Sequence, residues 1–263
     1  MNNNSFKWDA KLYQESSSFQ FNLGLMAIDR LKPKDFENIL EIGCGNAMLT
    51  IELSKIIPKG KITAIEISEE MVDQAKLNLL KNGIKNINII NTDALKISFE
   101  NEFDAVFSNS AIHWIKNLKL MYGLIYKSLK QNGRIIVQTG LKETNILVKV
   151  LMRVINLKEF RDYYKDFQYP WKFYTIEENK KILEDNLYTE ILVEPYYYSV
   201  NFSTINEVIN YFKAAAMVPF LSVLSDDLKS SFVKTFKKIF LELNDAPNKL
   251  EISMNRVFIS AKK

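Results

Sequence analysis

Short, β-branched apolar runs alternate along the chain, from Ile39 to Gly140, with longer stretches whose apolar residues return every third or fourth position. That alternation predicts strands joined by helices in a parallel sheet. The spacing predicts strands at 38–42 (NILEI), 61–67 (KITAIEI), 86–90 (NINII), 104–109 (DAVFSN) and 134–139 (RIIVQT). Between them, Met71, Ala75 and Leu79 share a helix face behind a Ser68 cap, and Leu118, Tyr122, Ile125 and Leu129 share another. Gly83 and the Gln-Asn-Gly at 131–133 mark helix ends.

After Gly140 no glycine follows, and 141–186 is rich in aromatic and basic residues. The rhythm returns at 189–200 (TEILVEPYYYSV) and 251–263 (EISMNRVFISAKK), with helical stretches at about 204–216 and 226–243 between them. The expectation is a single α/β domain over 1–263, a doubly wound, mostly parallel seven-stranded sheet with helical cap insertions. Its parts are a ligand-binding core at 30–140, a cap at 141–188 and 201–245, and final strands at 189–200 and 251–263. The apolar run Ala214–Leu224 is too short to span a membrane and contains Pro219, so it reads as a helix end packed on the core.

Composition narrows the functions. The net charge of +4 arises from 35 basic and 31 acidic residues dispersed along the chain, which argues against a nucleic-acid partner. A lone cysteine, Cys44, allows no internal disulfide, and with His113 as the only histidine no Cys/His metal cluster forms. The N-terminus lacks a signal-peptide pattern and no segment has the length of a membrane span, so the expectation is a cytoplasmic protein with neither membrane nor metal partner.

The first strand runs into Glu41-Ile42-Gly43-Cys44-Gly45-Asn46-Ala47. A dinucleotide loop would carry a third glycine at 48, where methionine stands. Downstream, in order, come Glu66 at the end of the second strand, Ile67 and Met71 beyond it, Thr92-Asp93-Ala94 after the third, and Asn109-Ser110 with His113-Trp114 after the fourth. Each piece alone has a structural reading: turn glycines, a strand-end carboxylate, a helix cap, a small apolar Cys44. Together they resemble the class I S-adenosylmethionine-dependent methyltransferases, with Ala47 in place of the last motif glycine. The resemblance implies a Rossmann-like methyltransferase fold, S-adenosylmethionine as cofactor and S-adenosylhomocysteine as product. It implies cofactor contacts from Glu41, Gly43, Cys44, Gly45, Glu66 (ribose hydroxyls), Ile67, Met71 (adenine face), Thr92, Asp93 (adenine amine), Ala94, Asn109, Ser110 and Trp114.

The segment 8–20 (WDAKLYQESSSFQ) is similar to the N-terminal helix of the subgroup holding trans-aconitate, malonyl-carrier-protein and juvenile hormone acid methyltransferases, through Trp8, Tyr13, Ser18 and Gln20. That likeness adds Tyr13 and Gln20 to the cofactor set and implies O-methylation of a carboxylate on a small molecule, free or carried by a protein. N-, C- or phenol O-methylation and a catalytically silent cofactor binder stay as alternatives, and so do monomer and homodimer. His113 either fills the floor under the cofactor or serves as a general base. Candidates for the acceptor pocket are Tyr163, Trp171, Tyr174 and Tyr197 as wall or hydroxyl donors, with Arg153, Arg161, Lys172 and Arg256 as anion partners.

Overall fold

A computed structural model describes residues 18–142, 146–213, 217–244 and 250–263. Seven strands form one sheet in the order β3-β2-β1-β4-β5-β7-β6. They are β1 (Asn38–Ile42), β2 (Lys61–Glu66), β3 (Ile87–Asn91), β4 (Phe103–Asn109), β5 (Leu129–Gly140), β6 (Thr189–Phe202) and β7 (Leu250–Lys262). β1 to β5 pair in parallel, and β7 runs antiparallel to β5. Strand order reverses between β1 and β4, which puts the ligand crevice of a doubly wound sheet at their carboxyl ends.

The described residues fall into two compact units. Among the described residues, the sheet unit contains 18–141, Trp171–Tyr196 and Arg256–Lys263. Its helices are α1 (Ser18–Leu31), α2 (Met48–Ile56), α3 (Glu69–Asn82), α4 (Leu118–Ser128) and α6 (Ile176–Glu184). The smaller unit holds α5 (Ile146–Ile155), α7 (Ile205–Phe212), α8 (Val218–Leu221) and α9 (Asp226–Leu243).

Local signals set these helices. Ser68 Oγ accepts from Met71 N at 3.3 Å, glutamates 69 and 70 occupy the first turn of α3, and Gly83 closes it at φ 65°. The face carrying Met71, Val72, Ala75 and Leu79 is buried. In the smaller unit, α5 packs on α9 through Leu147, Val150, Leu151, Val154 and Ile155. Phe160, Phe220 and Phe232 are fully buried there, and Tyr164 Oη donates to Phe220 O at 2.7 Å, so the aromatic wealth of this region fills its own core.

Three expectations change. Gln131-Asn132-Gly133 lies within β5, not at a helix end: α4 stops at Ser128, and Asn132 takes φ 62° where the register with β4 shifts. Pro219 sits in the first turn of α8 and starts a helix instead of ending one, because a proline in the first turn forfeits no intrahelical hydrogen bond. The segment 171–188 groups with the sheet and not with α5 and α9, since α6 packs on α4 and Tyr188 Oη donates to Tyr122 O at 3.0 Å.

One ion pair secures the opposite end of the sheet. Arg134, at the start of the continuous part of β5, holds Glu37 bidentately with both contacts at 2.8 Å and also donates to the carbonyls of Leu31 and Lys32 at the end of α1. Burial alone would raise the Glu37 carboxyl, but the Arg134 and Lys34 hydrogen bonds hold it below its ordinary value. This pair stabilises above the unfolded carboxylate pKa and is lost as pH falls through the lowered one. Arg134→Met should cost about 3 kcal/mol, the lower end for a buried pair because Arg134 keeps 24% side-chain exposure. Urea unfolding at pH 7 measures it, and a cost under about 0.5 kcal/mol would refute the assignment.

Candidate functional site

At the reversal point the loop after β1 meets the loops after β2 and β4. Gly43 and Gly45 both take positive φ, 74° and 54°, for different reasons. A Cβ at Gly43 would lie 2.3 Å from the Ala111 Cβ, so its absence lets the β1 and β4 loops touch. A Cβ at Gly45 would meet nothing within 4 Å, so this glycine opens space instead of filling it. Ala47 adopts the left-handed conformation at φ 63°, a glycine geometry, at a cost of about 1 kcal/mol. Its methyl belongs to a buried cluster with Ile51, Ala75 and Leu79, and burying it offsets most of that cost.

Glu66 organises the crevice floor. Its Oε2 accepts from Gly45 N at 3.0 Å, and its Oε1 accepts from Ile67 N at 2.9 Å and Ser68 N at 3.0 Å. Burial raises its pKa against these bonds. Thr92 N donates to Glu66 O at 3.0 Å, and Asn91 Nδ2 donates to the same oxygen at 2.9 Å, which locks the β3 end to β2. Asp93 Oδ1 accepts from Leu95 N at 2.9 Å and caps a short turn starting at the buried Ala94. Ile67 stands exposed at the rim, whereas Met71 is buried in α3. Cys44 is buried, and its thiol is pushed up by that burial and by the two nearby carboxylates, so it is an inert part of the loop.

Of the six side-chain oxygens in this unit that are buried without a hydrogen-bond partner among the described residues, three belong to residues that the motifs single out: Gln20 Oε1, Glu41 Oε2 and Asn109 Oδ1. Asn109 Nδ2 donates to Gln20 O at 3.0 Å, which joins α1 to the end of β4. Such atoms cost about 1–3 kcal/mol each unless a donor arrives, and a donor-rich, cationic ligand suits all three. Tyr13 and Trp8 lie outside the described residues.

His113 follows β4 in a short turn. Its Nδ1 is 3.0 Å from Thr139 Oγ1, its ring stacks on Phe173 at 5.1 Å, and its carbonyl accepts from Lys172 N at 2.8 Å. Desolvation, with the charge of Arg256 adding to it, pushes the imidazole down to about 3. A neutral imidazole of that pKa is a poor base at pH 7, so the geometry suits a packing role. Trp114 meets Trp171 edge to face at 5.6 Å, and Tyr174 bridges to Leu141. Among the acceptor candidates, Arg153 pairs with Glu242 at 3.5 Å and Arg161 with Asp162 at 3.8 Å, both in the smaller unit, where Tyr197 is exposed. The ring at the β4 end also includes Ala111, Gln138 and Thr139, which motif spacing misses. The rule that ligands sit at carboxyl strand ends would have found the last two, since they close the fifth strand.

Burial, with the Glu66 carboxylate adding to it against the Thr50 hydroxyl, pushes Glu41 up to about 7. A raised carboxyl stabilises most below the unfolded value of 4.5 and loses that contribution as pH rises through about 7. The ligand-free protein should therefore lose on the order of 3 kcal/mol from this group between pH 5 and pH 8. Glu41→Gln should melt above wild type at pH 8 and level with it at pH 5; a variant-to-wild-type difference independent of pH would refute the assignment.

The methyltransferase domain family matches residues 33–191, more than half of the chain. The chain is 28% identical over 187 residues to malonyl-[acyl-carrier protein] O-methyltransferase 2 of Ilyobacter polytropus, covering 70% of this chain and 67% of that protein. It is 31% identical over 137 residues to malonyl-[acyl-carrier protein] O-methyltransferase of Priestia megaterium, covering 51% and 49%. The chain thus spans between about half and two thirds of the length of these relatives. Among solved structures it resembles the YcgJ protein of Bacillus subtilis, with TM-score 0.64, 15% identity and coverage of 92% and 97%. It also resembles Haemonchus contortus phosphoethanolamine N-methyltransferase 2 in complex with S-adenosyl-L-methionine, with TM-score 0.63, 21% identity and coverage of 97% and 56%. Those two likenesses carry the fold alone, but with the family match across more than half of its length the chain belongs to the methyltransferase domain family.

Proposed function

We propose that this chain methylates a carboxylate oxygen of a small organic acid, presented free or on an acyl carrier protein. The observation that carries this reading is the placement of His113, the chain's one histidine, whose Nδ1 lies 3.0 Å from Thr139 Oγ1 and whose ring stacks on Phe173 at 5.1 Å, with desolvation lowering its pKa, so it is engaged in packing and is a poor base. An ionised carboxylate needs none, whereas a phenol or an ammonium would. The Ilyobacter and Priestia relatives, both malonyl-[acyl-carrier protein] O-methyltransferases, agree with it.

When bound, S-adenosylmethionine supplies a methyl group already made electrophilic by its sulfonium, so the protein's work is alignment and exclusion of water. Glu66 would take the ribose hydroxyls on the lone pairs that its three backbone donors leave, and Gly45 opens the space for them. Asp93 and Ala94 would face the adenine edge, with Ile67 against its ring and Met71 supporting from beneath. Glu41, Gln20 and Asn109 supply buried acceptors for an ammonium group, which answers their lack of partners.

Glu66→Ala should weaken S-adenosylmethionine binding at least tenfold, or about 1.4 kcal/mol, by calorimetry; unchanged affinity would remove Glu66 from the site. The acceptor class is read by transferring labelled methyl to a panel of mono- and dicarboxylic acids and their thioesters, then treating with mild alkali. Volatile methanol is the expected product. Alkali-stable label would refute the carboxylate reading.

A further inference from the structure

The register of the sheet gathers three polar side chains on one face. Glu41 pairs with Ala64 on β2 and Phe107 on β4, so by the two-residue period Glu66 and Asn109 stand on its face, each two residues nearer the carboxyl ends. Glu41 is 2% exposed, its Oε2 has no hydrogen-bond partner, and Ala64 and Phe107 beside it are fully buried. The groups that reach its carboxyl are Glu66 at the end of β2, Cys44 in the glycine loop and the neutral hydroxyl of Thr50 on α2. Among the described residues no cation reaches it, and β4 and α1 present the neutral Asn109 and Gln20, joined by the Asn109 Nδ2 donation to Gln20 O at 3.0 Å. Three backbone N–H groups donate to the Glu66 carboxylate and none to that of Glu41. Of two neighbouring carboxyls, Glu66 therefore keeps the negative charge and Glu41 the proton.

We propose that this protein releases a proton as it binds its cofactor: Glu41 is protonated in the ligand-free protein and gives its proton to solvent when the ammonium group of S-adenosylmethionine arrives beside it. The inference rests on the cofactor reading above. A carboxylic acid and an ammonium become a carboxylate–ammonium pair and one proton taken up by buffer, and no bond in the cofactor changes. Gln20 Oε1, Asn109 Oδ1 and the ionised Glu41 give three acceptors for the three donors of an ammonium. A buried charge that appears only together with its counter-ion avoids the cost of standing alone in a low dielectric. The pH dependence then has a fixed sign. A ligand that binds the deprotonated carboxyl gains affinity as pH rises, and the gain ends once the ligand-free protein has itself lost the proton. Burial, with the Glu66 charge adding to it against the Thr50 hydroxyl, places that loss at about 7.

The test is titration calorimetry of the full-length, ligand-free protein with S-adenosylmethionine at pH 6.5, in phosphate and in imidazole buffer, whose heats of ionisation differ. The two apparent heats should differ as for release of about 0.7 proton, since a carboxyl at about 7 is largely protonated there and the ligand's amino group is already an ammonium. Affinity should tighten about fivefold between pH 6 and pH 7. 5′-Methylthioadenosine, which keeps the nucleoside and lacks the ammonium, should bind without releasing a proton. Glu41→Gln should bind S-adenosylmethionine with release below about 0.2 proton and an affinity flat over the same pH range. Heats independent of buffer for the wild type, equal release with the two ligands, or release that survives in Glu41→Gln would each overturn the proposal. Should Glu41→Gln fail to fold, the pH dependence and the ligand comparison on the wild-type protein decide. No binding of S-adenosylmethionine at any pH would refute the cofactor reading and this proposal with it, whereas binding without proton release refutes only the proposal.

Discussion

The Glu66 carboxylate is the constraint on which the crevice depends. Three backbone N–H groups, from Gly45, Ile67 and Ser68, converge on its two oxygens and tie the end of β2 to the glycine loop. The β3 end then attaches to the same residue through the Glu66 carbonyl. Without that carboxylate these donors would lose a charge-assisted acceptor in a poorly solvated place, and the loop would have no fixed height above the sheet. The glycine loop is therefore preorganised, and the entropy of ordering it is already met when a ligand arrives.

Charge is unevenly divided around the rim. Glu41 and Glu66 lie under the β1 and β2 ends, and burial raises both. Across the rim, Arg256 is held at the β4 and β5 ends next to a neutral His113. Two carboxylates close together in a low dielectric are costly by themselves, and a cationic ligand offsets that cost. A methyl donor carrying an ammonium and a sulfonium is of the charge that would offset the cost on the acidic side.

Much of this was legible in local pattern. β1 and α9 occupy the residues that periodicity predicts, 38–42 and 226–243, because each pattern is written in residues a few positions apart. The capping box Thr175-x-x-Glu178, with both of its hydrogen bonds present, was an equally local signal for α6, obscured by the aromatic run before it. Gln131-Asn132-Gly133 misled for the opposite reason: a glycine-containing triplet suits a helix end and a strand irregularity alike, and only pairing with β4 distinguishes them. The Gly43-x-Gly45 spacing gave both glycines one role, whereas the space at 43 is filled by Ala111 and the space at 45 is open.

The chain by itself determined the alternation of strand and helix, the family motifs and the class of ligand, because each is written in residues close together or at set spacing from a strand end. Tertiary structure decided the rest. It chose which buried oxygens stay unsatisfied, set Ala47's methyl into the helix layer, gave His113 a rim of rings that keeps it neutral, and carried Arg256 to Ser110 across 146 residues of sequence. Desolvation and distance set those properties, and neither exists until strands far apart in the chain lie side by side.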